Sequence, residues 1–120
     1  MKKIKILSVL FAGIFCMQFS YAQAVVKKES LHVYGNCGMC KKTIESSAKI
    51  AGATYASWNT KSKKLDISYD PLVTGSVKIQ EAIANSGYDT QDFRASDSAY
   101  NQLHECCKYE RKQIEQSKNN

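Results

Sequence analysis

The chain has 120 residues, of which 43% are hydrophobic and 23% charged, and a formal charge of +6. That is room for one ordinary domain, too polar for a polytopic membrane protein and too apolar for a disordered chain. One proline and six glycines exclude collagen-like and low-complexity sequences, and five cysteines call for an explanation.

The N-terminus reads as an export signal. Met1-Lys2-Lys3-Ile4-Lys5 is a charged start, Ile6 to Met17 is apolar apart from Ser8 and Gly13, and Ser20-Tyr21-Ala22 offers small residues for cleavage. The apolar run is shorter than the roughly 20 residues of a permanent span. Residues 1–22 are therefore expected to be a signal peptide, cut near Ala22, with the mature chain in the periplasm or otherwise exported and no permanent membrane span. Cys16 leaves with the signal. Loss of Lys2, Lys3 and Lys5 halves the formal charge of +6. So mild a basic excess argues against a nucleic-acid partner, which wants a dense basic stripe. Outside the cytoplasm, disulfides are permitted.

Ser30 to Tyr34 alternates as a strand does. Gly35 to Cys40 is a loop. Cys40, Ile44, Ala48 and Ala51 then form a helical stripe, with Gly52 as its stop. Residues 53–59 read as a second strand with Ala56 and Trp58 on one face. Leu65, Ile67 and Tyr69 mark a third, joined to the second by the polar turn Asn59 to Lys63. Asp70-Pro71 ends it. Ser76 is a candidate N-cap, and Ile79, Ala82, Ile83 and Ser86 give a second helix stopped by Gly87. Tyr88 to Phe93 is a weak fourth strand.

The order is βαββαβ, which predicts an α+β, ferredoxin-like sandwich: a four-stranded antiparallel sheet with two helices on one face. The domain is expected over residues 23–94. Residues 95–120 are an extension, read as a C-terminal helix with Tyr100, Leu103, Cys107 and Ile114 on one face and a polar tail over Gln113–Asn120.

The sharpest feature is Gly35-Asn36-Cys37-Gly38-Met39-Cys40. Two thiols two residues apart stand where a strand gives way to a helix. A helix N-terminus favours a thiolate, and Lys41 and Lys42 add positive charge nearby. Thiolates are soft ligands for Cu(I), Zn(II) and other thiophilic ions. The same spacing also serves redox enzymes and plain disulfides. Met39 is expected to pack under the loop, Tyr88 to line either the core or the loop, and His32 to sit on the sheet.

In context the sequence resembles the heavy-metal-associated domain, the family of copper chaperones, metal-ATPase N-terminal domains and the periplasmic mercury-binding protein. The resemblance covers residues 30–93. It rests on Val33 and Gly35, the Cys37/Cys40 pair, Ala51-Gly52, Tyr69-Asp70 and Gly87-Tyr88. The loop is one residue shorter than the family's Gly-Met-Thr-Cys-x-x-Cys. The resemblance implies a non-enzymatic carrier of Cu(I), with Hg(II) or Zn(II) as other ions, binding through Cys37 and Cys40. Its partners would be a metal transporter, an efflux component or another metal-binding protein. The alternative is a thiol–disulfide oxidoreductase using the same pair. Against it, the strand order is not that of thioredoxin, and Pro71 does not serve as that fold's cis-proline.

A second cluster, Leu103-His104-Glu105-Cys106-Cys107-Lys108-Tyr109, resembles the Tyr…Leu-x-x-Cys-Cys-x-Tyr extension of some exported proteins of that family. On a continuous helix Cys106 and Cys107 point about 100° apart, so His104 and Cys107 would be the pair able to share an ion. Three readings are open. The cysteines fold back on Cys37 and Cys40, they form a second metal site with His104, or they are structural.

Overall fold

The computed structural model of the protein describes residues 25–111. The signal-peptide reading of residues 1–22, Ile114 and the polar tail lie outside the described residues.

The elements are β1 (Lys27–His32), α1 (Gly38–Ile50), β2 (Tyr55–Trp58), β3 (Lys64–Tyr69), α2 (Ser76–Asn85) and α3 (Asp97–Asn101), followed by a 3₁₀ turn at Glu105–Cys107. Alternation explains β3: Leu65, Ile67 and Tyr69 are buried while Lys64 and Asp66 are exposed. Buried on one face, β3 is the central strand, antiparallel to both neighbours in the order β1-β3-β2. Trp58 faces Leu65 and Ala56 faces Ile67 across the β2–β3 hairpin. In its turn the Asn59 side chain accepts from the Lys61 and Ser62 amides, and Lys63 takes a φ of 60°.

The helices cover one face. Cys40, Ile44 and Ala48 from α1 and Ile79 and Ile83 from α2 reach the core with Leu31, Val33, Trp58, Leu65, Ile67 and Tyr88. Gly52 and Gly87, both at positive φ, follow the helix ends as the sequence requires. Gly75 rather than Ser76 is the N-cap of α2.

β1 begins earlier than the apolar pattern suggests. Lys27 to Ser30 pair with Tyr69 to Asp66 but leave their side chains largely outside, so hydrophobicity does not mark them. The fourth strand shrinks to one antiparallel bridge between Val33 and Thr90. Beyond it the Thr90 amide turns back to the Phe93 carbonyl at 2.8 Å. The buried Gln80 side chain holds that turn, accepting from Thr90 Oγ1 at 2.8 Å and donating to Asp92 at 2.9 Å. The Phe93 amide, the next that the ladder would present to β1, donates instead to Thr90 Oγ1 at 3.1 Å, so the pairing stops there.

The extension is not one helix. α3 ends at Asn101, and His104 is extended at φ −58°, ψ 150° before the 3₁₀ turn. Cys107 and Tyr109 belong to the same core as the sheet and helices, and Tyr100 and Leu103 pack against it.

Candidate metal centre

The loop before α1 is seated on Trp58. The indole Nε1 donates to the Val33 carbonyl at 3.0 Å. A Cβ on Gly35 would lie 3.0 Å from the Trp58 ring and 3.3 Å from Cys40 Cβ, so a glycine lets the backbone close over the indole. Cys37 is then the N-cap of α1, in extended conformation. Its amide donates to Cys40 Sγ at 3.4 Å, and the Cys40 amide is directed at Cys37 Sγ. This is a capping box made of sulfur. No acidic residue occupies the first turn, so the positive end of the helix faces the thiols unopposed.

The extension brings two further thiols to this loop. Cys37 Sγ lies 3.5 Å from each of Cys40, Cys106 and Cys107 Sγ. The sulfurs of Cys37, Cys40 and Cys107 all lie within 4.8 Å of one another. Cys40 and Cys107 are buried, Cys37 is half-buried and Cys106 is exposed at the rim; all four are free thiols. Cys106 sits 3.9 Å from Cys107 and 3.7 Å from the Met39 sulfur. Tyr88, 1% exposed, belongs to the same buried core as Cys40 and Cys107.

Three residues hold the extension in place. Tyr109 buries its hydroxyl between the Asp89 amide, which donates to it at 2.7 Å, and the Gly87 carbonyl, to which it donates at 3.0 Å. Arg111 grips both oxygens of buried Asp89 and also reaches Asp97 and the Ala95 carbonyl. Its guanidinium lies over the Tyr100 ring, and the Tyr100 hydroxyl donates to the Tyr109 carbonyl at 2.6 Å.

The thiols differ in acidity. The hydrogen bond from the Cys40 amide, then those from the thiols of Cys40, Cys106 and Cys107, outweigh burial and bring Cys37 down to about 6. Burial first, then contact with Cys40 and Cys37, pushes Cys107 well above the ordinary thiol range. Contact with Cys37 raises Cys106. Cys37 is thus drawn toward the thiolate, with Cys106 and Cys107 pushed the other way beside it.

No family model matches this chain. The copper chaperone CopZ of Staphylococcus aureus is 33% identical over 66 residues, covering 53% of this chain and 97% of that protein. The chain belongs to the heavy-metal-associated domain family. A solved CopZ metallochaperone is 32% identical with a TM-score of 0.51, over 53% of this chain and 98% of its own. The water-soluble region of the P-type ATPase CopA from Bacillus subtilis is 33% identical with a TM-score of 0.52, over 56% of this chain and 46% of its own. Oxidized MerP from Ralstonia metallidurans has the same fold, with a TM-score of 0.53 at 20% identity over 56% of this chain and 96% of its own.

Within this heavy-metal-associated domain, the structure brings Cys37, Cys40, Cys106 and Cys107 together and leaves His104 out. His104 is exposed, heads the 3₁₀ turn and is not in the thiol cluster. The helical pairing of His104 with Cys107 fails because the α-helix ends at Asn101, before either residue, and His104 is extended ahead of the 3₁₀ turn that carries Cys107. Met39 does not pack under the loop; it is 52% exposed beside Cys106. Lys41 does not face the thiols, being paired with Glu45 and donating to the Trp58 carbonyl at 3.0 Å. Tyr88 lies in the core, which Cys40 and Cys107 share. The clamp of Asp89, Tyr109 and Arg111 was missed from sequence. Its signal was the aromatic and the cation placed just after Cys106-Cys107, in a segment otherwise read as a helix face and a tail.

Proposed function

We propose that the protein is a non-enzymatic carrier of soft metal ions, Cu(I) first, that takes up and passes on or sequesters its cargo by thiolate exchange at Cys37 and Cys40. The observation that carries this reading is the cluster of free thiols within 4.8 Å of one another at the start of α1, in a chain of the heavy-metal-associated family. Soft sulfur donors select soft ions, and Hg(II) and Zn(II) fit the same donors less distinctively. The N-terminal pattern supports a periplasmic or otherwise exported location. No helix among the described residues is long and apolar enough to cross a membrane. Likeness to a soluble region of a P-type ATPase supports a transporter or efflux component as partner.

Titration of the reduced protein with Cu(I) against a calibrated chromophoric chelator tests this. The expected result is tight binding near one equivalent, abolished in Cys37→Ser/Cys40→Ser. Failure of the native protein to compete with the chelator would remove copper from the reading.

The lowered Cys37 thiol, 3.5 Å from Cys40, favours a second reading as a thiol–disulfide oxidoreductase. Catalytic turnover on a protein disulfide would establish it and displace the carrier; stoichiometric metal binding without turnover would eliminate it.

A further inference from the structure

The pair Cys37/Cys40 by itself offers two sulfurs, and two sulfurs hold an ion in a near-linear arrangement. With a metal–sulfur bond of about 2.3 Å, as in zinc thiolates, a linear pair stands about 4.6 Å apart and a trigonal set about 4.0 Å apart. Here Cys37 is 3.5 Å from both Cys40 and Cys107. That spacing suits three converging donors better than two opposed ones.

The third sulfur is built into place. Cys107 is 2% exposed and lies in the core shared with Cys40, Ile44 and Trp58. Its neighbour Tyr109 is 4% exposed and tied to the Gly87–Asp89 segment through both hydrogen-bonding functions of its hydroxyl. Arg111 fixes the same segment through a bidentate pair with Asp89, the geometry in which a guanidinium is most directional. Gly87 accepts the extension: a Cβ there would be 2.8 Å from the Ala99 carbonyl and 2.9 Å from Leu103. Cys106, one residue earlier, stays exposed while touching Cys37, Cys107 and Met39.

We propose that Cys107 is a resident third ligand, making with Cys37 and Cys40 a three-thiolate centre, and that exposed Cys106 is the rim thiol through which the ion enters and leaves. This rests on the carrier reading and sharpens it. As the ion binds, the Cys107 S–H bond breaks, its proton goes to solvent, and a sulfur lone pair forms the new bond. As the ion leaves, the Cys106 S–H bond breaks, its proton goes to solvent and its sulfur bonds the ion, while the bond to Cys37 breaks and leaves that sulfur as a thiolate. No electron changes hands.

The test is X-ray absorption of the reduced, Cu(I)-loaded protein, which counts the sulfurs around the ion, together with the chelator titration. Three sulfurs are expected in the native protein and in Cys106→Ser, and two in Cys107→Ser. Affinity should fall about tenfold or more in Cys107→Ser, the scale on which metal sites respond to loss of a supporting group. Cys106→Ser should bind as tightly and release copper to the chelator several-fold more slowly. Two sulfurs in the native protein, or three in Cys107→Ser, would overturn the third ligand while leaving the carrier intact. Release from Cys106→Ser at the native rate would overturn the rim role. Absence of binding, or binding that survives Cys37→Ser/Cys40→Ser, would overturn the carrier and this proposal with it. Should Cys107→Ser not fold, Tyr109→Phe keeps all four thiols and loosens the strap at the smaller cost in stability. Weaker binding with fewer than three sulfurs then supports the assignment, and unchanged affinity and sulfur count overturn it.

Discussion

The Arg111 guanidinium holds both carboxylate oxygens of Asp89, at 2.8 and 3.0 Å, with Asp89 only 1% exposed. Removing the cation leaves that carboxylate buried and unpaired, the costly way to break an ion pair. Arg111→Gln is expected to lose about 3 kcal/mol of stability. Urea unfolding of the reduced protein checks it; a loss below a few tenths would mean that the pair is ornamental.

Tyr109→Phe removes a hydroxyl that serves one donor and one acceptor in the interior. Both partners lose their bond without gaining water, so a cost of about 1–3 kcal/mol follows. The same variant should expose Cys107 to alkylation, read by mass spectrometry as faster labelling at that residue than in the native protein.

Gly87 sits at a φ of 107°, and a Cβ there would lie 2.8 Å from the Ala99 carbonyl and 2.9 Å from Leu103, inside van der Waals contact. Gly87→Ala is therefore strained twice, in its backbone and against the extension. A loss of about 1–3 kcal/mol is expected. Gly38, whose Cβ would meet nothing within 4 Å, is the control: Gly38→Ala should leave stability nearly unchanged.

Cys37 is lowered to about 6 against an ordinary value of 9.0, while Cys106 and Cys107 are raised. A lowered value means that the thiolate persists until the pH falls through about 6. Iodoacetamide should thus label Cys37 first at pH 7, with a rate that rises between pH 5 and 7 and then levels. Cys106, although exposed, is raised and should lag behind it at neutral pH. Equal rates at the two positions would contradict this ordering.

The sheet and helices were legible because their signals are local. Leu65, Ile67 and Tyr69 alternate, Cys40, Ile44 and Ala48 recur at helical spacing, and all are buried. Gly52 and Gly87 mark the helix ends by the same kind of short-range rule. The Cys37/Cys40 pair at a strand-to-helix junction was equally plain. What could not be read was the path of the extension. Its apolar residues fit a helical face, but the interactions that decide its course are tertiary: the Tyr109 hydroxyl in the Gly87–Asp89 segment, and Arg111 on Asp89. Those partners lie about 20 residues away in sequence, beyond any periodicity. The fourth strand is cut short at its Val33–Thr90 bridge for a similar reason, since Gln80 draws the Thr90–Phe93 backbone into a turn.

Cys37 and Cys107 touch across a separation of 70 residues. An ion held by Cys37 and Cys40 alone closes a ring of four residues and leaves the rest of the chain as free to unfold as before. An ion that also holds Cys107 cross-links the first helix to the end of the described chain. By the scaling for covalent cross-links, closing so long a loop constrains the unfolded ensemble by about 4 kcal/mol. Cargo held in that way would act as a reversible staple, and loaded and empty carrier would differ in resistance to unfolding as much as in what they hold.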